Sequence, residues 1–140
     1  MSKLNLLIFS IVITLGFISC NKYEEGPKMS LLTKKDRFAR SWVLESSETN
    51  GEVTLTTDEE TIFYVFKKNS TYSKTFKVNG VDSVQIGNWN LSKGGENLQL
   101  IMLDSLDITE ESKIVLLTNK QFKIRDLTEA NPTTYLFAVK

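Results

Sequence analysis

The chain has 140 residues, one cysteine and no histidine, with 17 basic and 17 acidic side chains and 41% apolar residues. This composition excludes histidine-dependent nucleophile systems, imidazole metal sites and an internal disulfide. The formal charge is zero, so the composition gives no indication of nucleic-acid binding. The length fits one domain, and the apolar residues suffice to fill one core.

The first residues have the features of a secretory signal. Lys3 supplies a positive charge, and an apolar run of 15 residues follows from Leu4 to Ile18. A membrane-spanning helix needs roughly 20 apolar residues, so this run is short. We therefore expect residues 1–19 to be a cleaved signal peptide. The alternative is an uncleaved membrane anchor.

The single cysteine stands directly after this segment. The sequence Phe17-Ile18-Ser19-Cys20 resembles the lipobox of bacterial lipoproteins, in which a peptidase cuts before a cysteine that carries diacylglycerol. The family usually has leucine at the third position before the cysteine, where this chain has Phe17. The resemblance implies that Cys20 is lipidated. It also implies that the protein is exported and anchored to the bacterial outer membrane, on the periplasmic face or the cell surface.

The next segment predicts a flexible tether. Residues 20–30 are mostly polar and charged and contain Gly26-Pro27, a composition that does not form a packed element. The folded domain is therefore expected to span residues 31–140. It begins with a short helix near 31–39, because Leu31, Leu32, Lys35 and Phe38 are spaced for one helix face. Ser30 or Thr33 would cap this helix.

After Arg40 the hydrophobic period becomes two, which is typical of strands. Nine runs follow, and turn residues such as Asn50-Gly51 and Asn79-Gly80 separate them. The runs lie near 41–48, 52–57, 61–68, 71–78, 84–92, 97–103, 112–118, 121–127 and 133–139. Spacing this short leaves no room for crossover helices and predicts antiparallel neighbours. An up-and-down β-barrel of about eight to nine strands is favoured because closure removes free edges, although a sandwich has the same periodicity.

Several short motifs carry a resemblance to a known family. They are the helix-to-strand start 38–44, the hairpin 66–72 and the segment Gly87-Asn88-Trp89-Asn90-Leu91, followed by Leu98-Gln99-Leu100 and 114–118. In this order and spacing they resemble the lipocalin-like domain of small bacterial lipoproteins, over about residues 32–140. The family has glycine where this chain has Arg40 and Ser70, whereas the second G-x-W motif is intact. The resemblance implies an up-and-down barrel in which Trp42 plugs one end.

A lipocalin-like barrel also implies an interior that is either filled or holds one small molecule. The bulky or charged residues that would line it, if they point inward, are Tyr64, Phe66, Tyr72, Lys74, Phe76, Trp89 and Tyr135. The alternative is that the aromatic residues only fill the core. Lys74 could present its ammonium to a carboxylate at the barrel mouth, or could be a solvated lysine.

Carboxylates crowd two loops, at Asp58-Glu59-Glu60 and at 104–111. Neither loop has the spacing of a calcium site, so we expect no metal. Because the chain also has no histidine and no other feature that would replace it, we expect no cofactor and no enzymatic activity. The main hypothesis is a lipid-anchored envelope protein that binds a small apolar or amphipathic ligand in its barrel. The alternative is a structural or interaction lipoprotein with a filled barrel that docks to another envelope protein. The membrane is the other expected partner, through the lipid on Cys20.

Overall fold

The computed structural model describes residues 32–57, 61–103, 108–128 and 130–140. The predicted signal peptide, the tether and Cys20 lie outside these residues. The described part contains one short helix, α1 (Lys34–Phe38), followed by nine strands. The strands are β1 (Ser41–Thr49), β2 (Glu52–Leu55), β3 (Phe63–Phe66), β4 (Thr71–Val78), β5 (Val81–Ser92), β6 (Asn97–Met102), β7 (Thr109–Leu117), β8 (Gln121–Asp126) and β9 (Thr134–Val139).

Eight of these strands form a closed antiparallel barrel. Strands β3 to β9 pair with their neighbours in chain order, and β1 closes the sheet by pairing with β3 on one edge and β9 on the other. The register of β1 against β9 shifts between Leu44 and Ser46, which is a β-bulge. Strand β2 lies outside the barrel and pairs with the second half of β1. The up-and-down barrel prediction is confirmed, and the sandwich is excluded.

Two-residue turns join β1 to β2 and β4 to β5. Asn50 and Gly51 have φ values of 54° and 81°, and Asn79 and Gly80 have 53° and 78°, as the Asn-Gly dipeptides predict. The second turn is so tight that Val78 pairs directly with Val81. Strand β5 therefore begins three residues earlier than the apolar run near 84–92 indicated.

The β3–β4 hairpin uses a strained residue. Ser70 has a φ of 68°, a left-handed conformation that favours glycine. Its hydroxyl accepts a hydrogen bond from the ammonium of Lys35 at 3.0 Å, in an exposed position. This is the position where the family pattern has glycine, so the structure gives a physical reason for that pattern.

We expect Ser70→Gly to raise the free energy of unfolding by about 0.5–1 kcal/mol, because relief of left-handed strain exceeds the loss of one exposed hydrogen bond. Urea denaturation measures this change. Ser70→Ala is the matched control, since it loses the same hydrogen bond but keeps the strain, and we expect it to be slightly destabilising. Equal stability of the two variants would contradict the explanation.

Helix α1 lies across the end of the barrel at which β1 begins, here called the closed end. The Thr33 side chain caps the helix by accepting a hydrogen bond from the Asp36 amide at 3.1 Å. The predicted helix face is wrong in part, because Leu32 and Lys35 are exposed and only Phe38 of the described set is buried. Arg37 is buried as well, and a helix of five residues is too short to present a full amphipathic stripe.

Side chains from this N-terminal segment contact all three connections at the closed end. Arg37 donates to the carbonyl of Leu117 at 2.8 Å, and Arg40 donates to that of Asn119 at 2.7 Å. Lys34 donates to the carbonyl of Gly94, while Lys35 reaches the β3–β4 turn. The first segment of the domain is thereby fixed over the closed end, and the other end, here called the open end, has no such cover among the described residues.

The closed half of the interior is filled with aromatic rings. Phe38, the last residue of α1, is buried among them, with its ring centroid 4.7 Å from that of Phe66, 5.4 Å from that of Trp89 and 5.0 Å from that of Phe122. Trp42 is fully buried beside them and packs edge-on against Phe122 at 4.8 Å. Any space for a guest inside the barrel must therefore lie toward the open end.

Candidate functional site

A cavity of about 220 Å³ lies inside the open half of the barrel. Four cross-strand pairs supply most of its wall, because directly paired residues point to the same face of a sheet. These pairs are Tyr64–Lys74, Leu100–Glu110, Ser112–Asp126 and Ile124–Tyr135. Ile62 and Phe137 complete the lining. The lining thus combines apolar and polar side chains.

The charged groups of the cavity are one ammonium and two carboxylates. The Lys74 ammonium lies 5.6 Å from the centre of the Tyr64 ring and 5.5 Å from that of Phe76, within the range of cation–π attraction. Glu110 and Asp126 lie on the lining with it. Asp126 accepts hydrogen bonds from the amide and hydroxyl of Thr128, and these bonds lower the pKa of its carboxyl group. The lining therefore has two acidic side chains against one basic side chain.

Two tyrosines near the cavity are held in their neutral form. Tyr64 and Tyr72 are buried, and burial raises the pKa of both phenols, with the nearby Glu110 carboxylate as a further cause. The pKa of Tyr72 rises to about 12. The Tyr72 hydroxyl is also buried without a hydrogen-bond partner among the described residues, which is costly in a protein interior. Tyr72 lies beside the cavity and is not part of its lining.

We expect Tyr72 to ionise near pH 12 in the folded protein, against about 10 for an unperturbed tyrosine. Because burial opposes ionisation of this phenol in the folded protein, stability is unaffected below the unfolded-state pKa and falls as the pH rises from about 10 toward 12. Tyrosinate absorbance against pH measures the effect. Tyr72→Phe should remove one late-ionising group without lowering stability at neutral pH. Ionisation of Tyr72 near pH 10 in the folded state would contradict the assignment.

The cavity brings together three of the residues predicted to line it, Tyr64, Lys74 and Tyr135. Phe76 contacts Lys74 but is not part of the lining. Phe66 and Trp89 pack with Phe38 in the closed half instead, and Tyr72 packs beside Tyr64 with ring centroids 6.4 Å apart. Their role in ligand binding stays a prediction, and so does that of Trp42 as the barrel plug.

The acidic members of the cavity were not predicted from the sequence. Glu110 was assigned to a loop because the apolar run was placed at 112–118, whereas β7 begins at Thr109 and turns Glu110 inward. Asp126 continues the alternation of Phe122 and Ile124, so period two is the signal that could have placed it on the inner face. Within the described residues, no three or more metal-ligating side chains lie close enough together to hold a metal ion.

In the described part of the chain, no helix is both long and apolar enough to cross a membrane.

Comparison with solved structures supports the fold. The chain is similar to a lipocalin-like protein from Bacteroides uniformis ATCC 8492, with a TM-score of 0.57 and 17% sequence identity. The alignment covers 74% of this chain and 99% of that one. No protein-family model matches the chain, and no curated protein matches it in sequence. At this identity the similarity shows a lipocalin-like fold and nothing finer.

Proposed function

We propose that this protein is a lipid-anchored protein of the bacterial cell envelope that binds a small amphipathic molecule in the open half of its barrel. The observation that carries the binding function is the cavity of about 220 Å³ lined by both apolar and polar side chains. Ligand sites are typically apolar pockets in which a few polar groups converge. The proposed role is ligand binding without catalysis. The proposed partners are the membrane, through the lipid anchor, and one small ligand.

The size of the cavity limits the ligand. A cavity of about 150 Å³ is enough to hold benzene, whereas pockets for drug-sized ligands begin near 300 Å³. The cavity here lies between these values, so the guest is about the size of one substituted ring. The two carboxylates outnumber the single ammonium, and a neutral or cationic polar group therefore fits better than a carboxylate. Lys74 is then better placed to balance Glu110 and Asp126 than to bind an anion.

The binding function is tested by filling the cavity. Ser112 lines it, so Ser112→Phe should occupy its space and displace the guest. Ser73 is a matched control because it points outward on β4 and is also half-buried. Native mass spectrometry of protein purified from its own host should show a co-purifying mass with the native chain and Ser73→Phe, but not with Ser112→Phe. Repeated absence of any bound mass from the native chain would overturn the proposal.

The lipid anchor is tested separately. Cys20 is the cysteine of the lipobox-like sequence and the chain has no other cysteine. Cys20→Ser should therefore abolish metabolic labelling with fatty acid, and the protein should leave the membrane fraction, since two or more acyl chains are needed for firm anchoring. Unchanged labelling would show that the anchor lies elsewhere, without affecting the cavity assignment.

A second candidate function is interaction with another envelope protein. The observation that favours it is a row of exposed apolar side chains on the outer wall of β5 and the end of β6, where the Leu103 amide bonds to the Ile86 carbonyl. Val84, Ile86 and Leu103 are exposed by 63%, 47% and 59%. Exposed apolar patches of this kind mark interaction sites. Cross-linking in the native host that is lost in Ile86→Asp but kept in Asn88→Asp would favour this function over ligand binding.

A further inference from the structure

The closed end of the barrel is strongly basic although the chain as a whole is neutral. Its connections are the segments 32–40, 67–70, 93–96 and 118–120. They contain eight basic side chains, Lys34, Lys35, Arg37, Arg40, Lys67, Lys68, Lys93 and Lys120, against two acidic ones, Asp36 and Glu96. Lys68 forms an ion pair with Asp36 at 2.8 Å. The hydrogen bonds of Arg37, Arg40 and Lys34 to carbonyl oxygens leave their charges in place.

The open end has the opposite charge. Its described strand ends and turns carry the acidic residues Glu48, Glu52, Asp82, Glu110 and Asp126, against the basic residues Lys77 and Arg125. The described part of the barrel therefore has a charge dipole along its axis, although the composition of the chain is neutral. Such a charge distribution orients a protein in an electric field or against a charged surface.

The closed end also has a groove that is flanked by basic side chains. It has a volume of about 450 Å³ and lies between α1 and the β5–β6 turn. Lys34 and Lys35 flank it, and Trp89 and Leu91 form an apolar floor. The ammonium of Lys35 lies 5.9 Å from the centre of the Trp89 ring. Two ammonium groups over an apolar floor suit an anionic group that continues into an apolar portion.

The chain enters the folded domain at this same end. Residue 32 leads directly into the Thr33 cap of α1, and the 31 preceding residues include the apolar run 4–18 and Cys20. A tether over residues 20–30 reaches at most roughly 40 Å. A tethered domain meets the surface at high effective concentration, so even weak attraction is enough to hold it there.

We propose that the basic closed end docks on the anionic lipid headgroups of the bilayer in which the N-terminal segment is anchored. This inference rests on the proposed membrane anchor. A Lys or Arg near an anionic bilayer raises partitioning by about fivefold each, within a Debye length of about 10 Å. Docking in this orientation turns the open end, with its cavity, away from the membrane. The cavity then exchanges its ligand with the aqueous phase.

The test uses the full-length chain produced in a bacterium and mixed with two kinds of vesicle, pure phosphatidylcholine or phosphatidylcholine with phosphatidylglycerol. An amine-acetylating reagent is added, and the rate at each lysine is read by peptide mass spectrometry. Lys93 and Lys120 should react several-fold more slowly on the anionic vesicles, and high salt should remove the difference. Lys77, at the open end, should react equally on both. Equal rates for Lys93 and Lys120 on the two vesicles would overturn the proposal.

Two matched variants distinguish an effect of where a lysine lies on the barrel from an effect of the total net charge. Lys120→Glu and Lys77→Glu change an exposed lysine in the same way, but only the first lies at the closed end. Lys120→Glu should reduce the protection of Lys93 severalfold, and Lys77→Glu should leave it unchanged. Equal effects of the two variants would show that net charge alone acts and would overturn the docking orientation.

Two further measurements separate docking on a bilayer from acylation alone and from the binding of a free anion. Intact mass of the same preparation reports acylation of Cys20, so acylated protein with equal lysine rates on both vesicles overturns docking while the anchor stands. Unacylated protein with salt-reversible protection contradicts the anchor and supports the basic surface. The last measurement repeats the acetylation with millimolar inorganic phosphate and no vesicles. Full protection of Lys93 by phosphate would identify a free-anion site and overturn docking on a bilayer.

Discussion

Replacing Trp42 with alanine is expected to lower the free energy of unfolding by about 3–5 kcal/mol. Trp42 is fully buried, packs on Phe122, and donates its indole N–H to the carbonyl of Phe38 at 2.9 Å. Alanine would leave a large cavity between α1 and the barrel and would remove the indole hydrogen bond to the Phe38 carbonyl, which keeps only its bond from the Arg40 amide. The loss combines both costs, and urea denaturation with an intrinsic fluorescence or circular dichroism signal measures it.

The neighbouring strand position supplies the control for Trp42. Val43 points to the outer wall on the same strand and is only half-buried, so Val43→Ala should cost far less than Trp42→Ala. Trp42→Phe should be intermediate, because it restores most of the apolar volume but not the hydrogen bond to Phe38. A loss below about 1 kcal/mol for Trp42→Ala would show that the side chain does not close the barrel.

The second large effect is expected at Gly87, the glycine of the intact G-x-W motif. A Cβ atom at this position would lie 2.6 Å from Cε1 of Tyr72 and would collide with the backbone carbonyl oxygen of Ile101. The Tyr72 ring can shift a little, but the Ile101 carbonyl belongs to the β5–β6 ladder and cannot. We expect Gly87→Ala to lower the free energy of unfolding by about 2–4 kcal/mol through overpacking.

Asn88 is the matched control for this substitution. It follows Gly87 on β5 and is exposed on the outer wall, so Asn88→Ala should change stability by less than about 0.5 kcal/mol. The double variant Gly87→Ala with Tyr72→Leu tests the cause, because it relieves the contact with the ring but not the contact with Ile101. We expect only partial recovery. Near-complete recovery would assign the glycine requirement to the Tyr72 ring alone.

Local sequence signals predicted the strands well because each depends on a few neighbouring residues. The alternation of Leu98, Leu100 and Met102 defines one face of β6, and the Asn-Gly pairs define two hairpin turns. Element boundaries were less certain. The apolar run near 61–68 forms a strand of only four residues, Phe63–Phe66. One edge of β1 pairs with β3 in its first part and with β2 in its second part, so only a short stretch of β1 is left for β3.

The candidate site was only partly visible in the sequence. Tyr64, Lys74 and Tyr135 stood out as bulky or charged residues at inward positions, and they meet in one cavity. Glu110 and Asp126 complete it from β7 and β8. Whether an acidic residue near a strand end faces the interior depends on the register with its neighbour. A one-residue slip in that register reverses the face to which every side chain of the strand points.

The sequence by itself determined the antiparallel strand order and the composition of the core, because hairpin-length connections and a period of two are local properties. Closure of the barrel depends on the pairing of β1 with β9, between residues such as Trp42 and Val139, which are distant in the chain. The tertiary structure also determined at which end of the barrel each charged side chain lies. A chain with equal numbers of basic and acidic side chains became a barrel with a basic closed end and an acidic open end, since alternate connections of an up-and-down barrel lie at opposite ends.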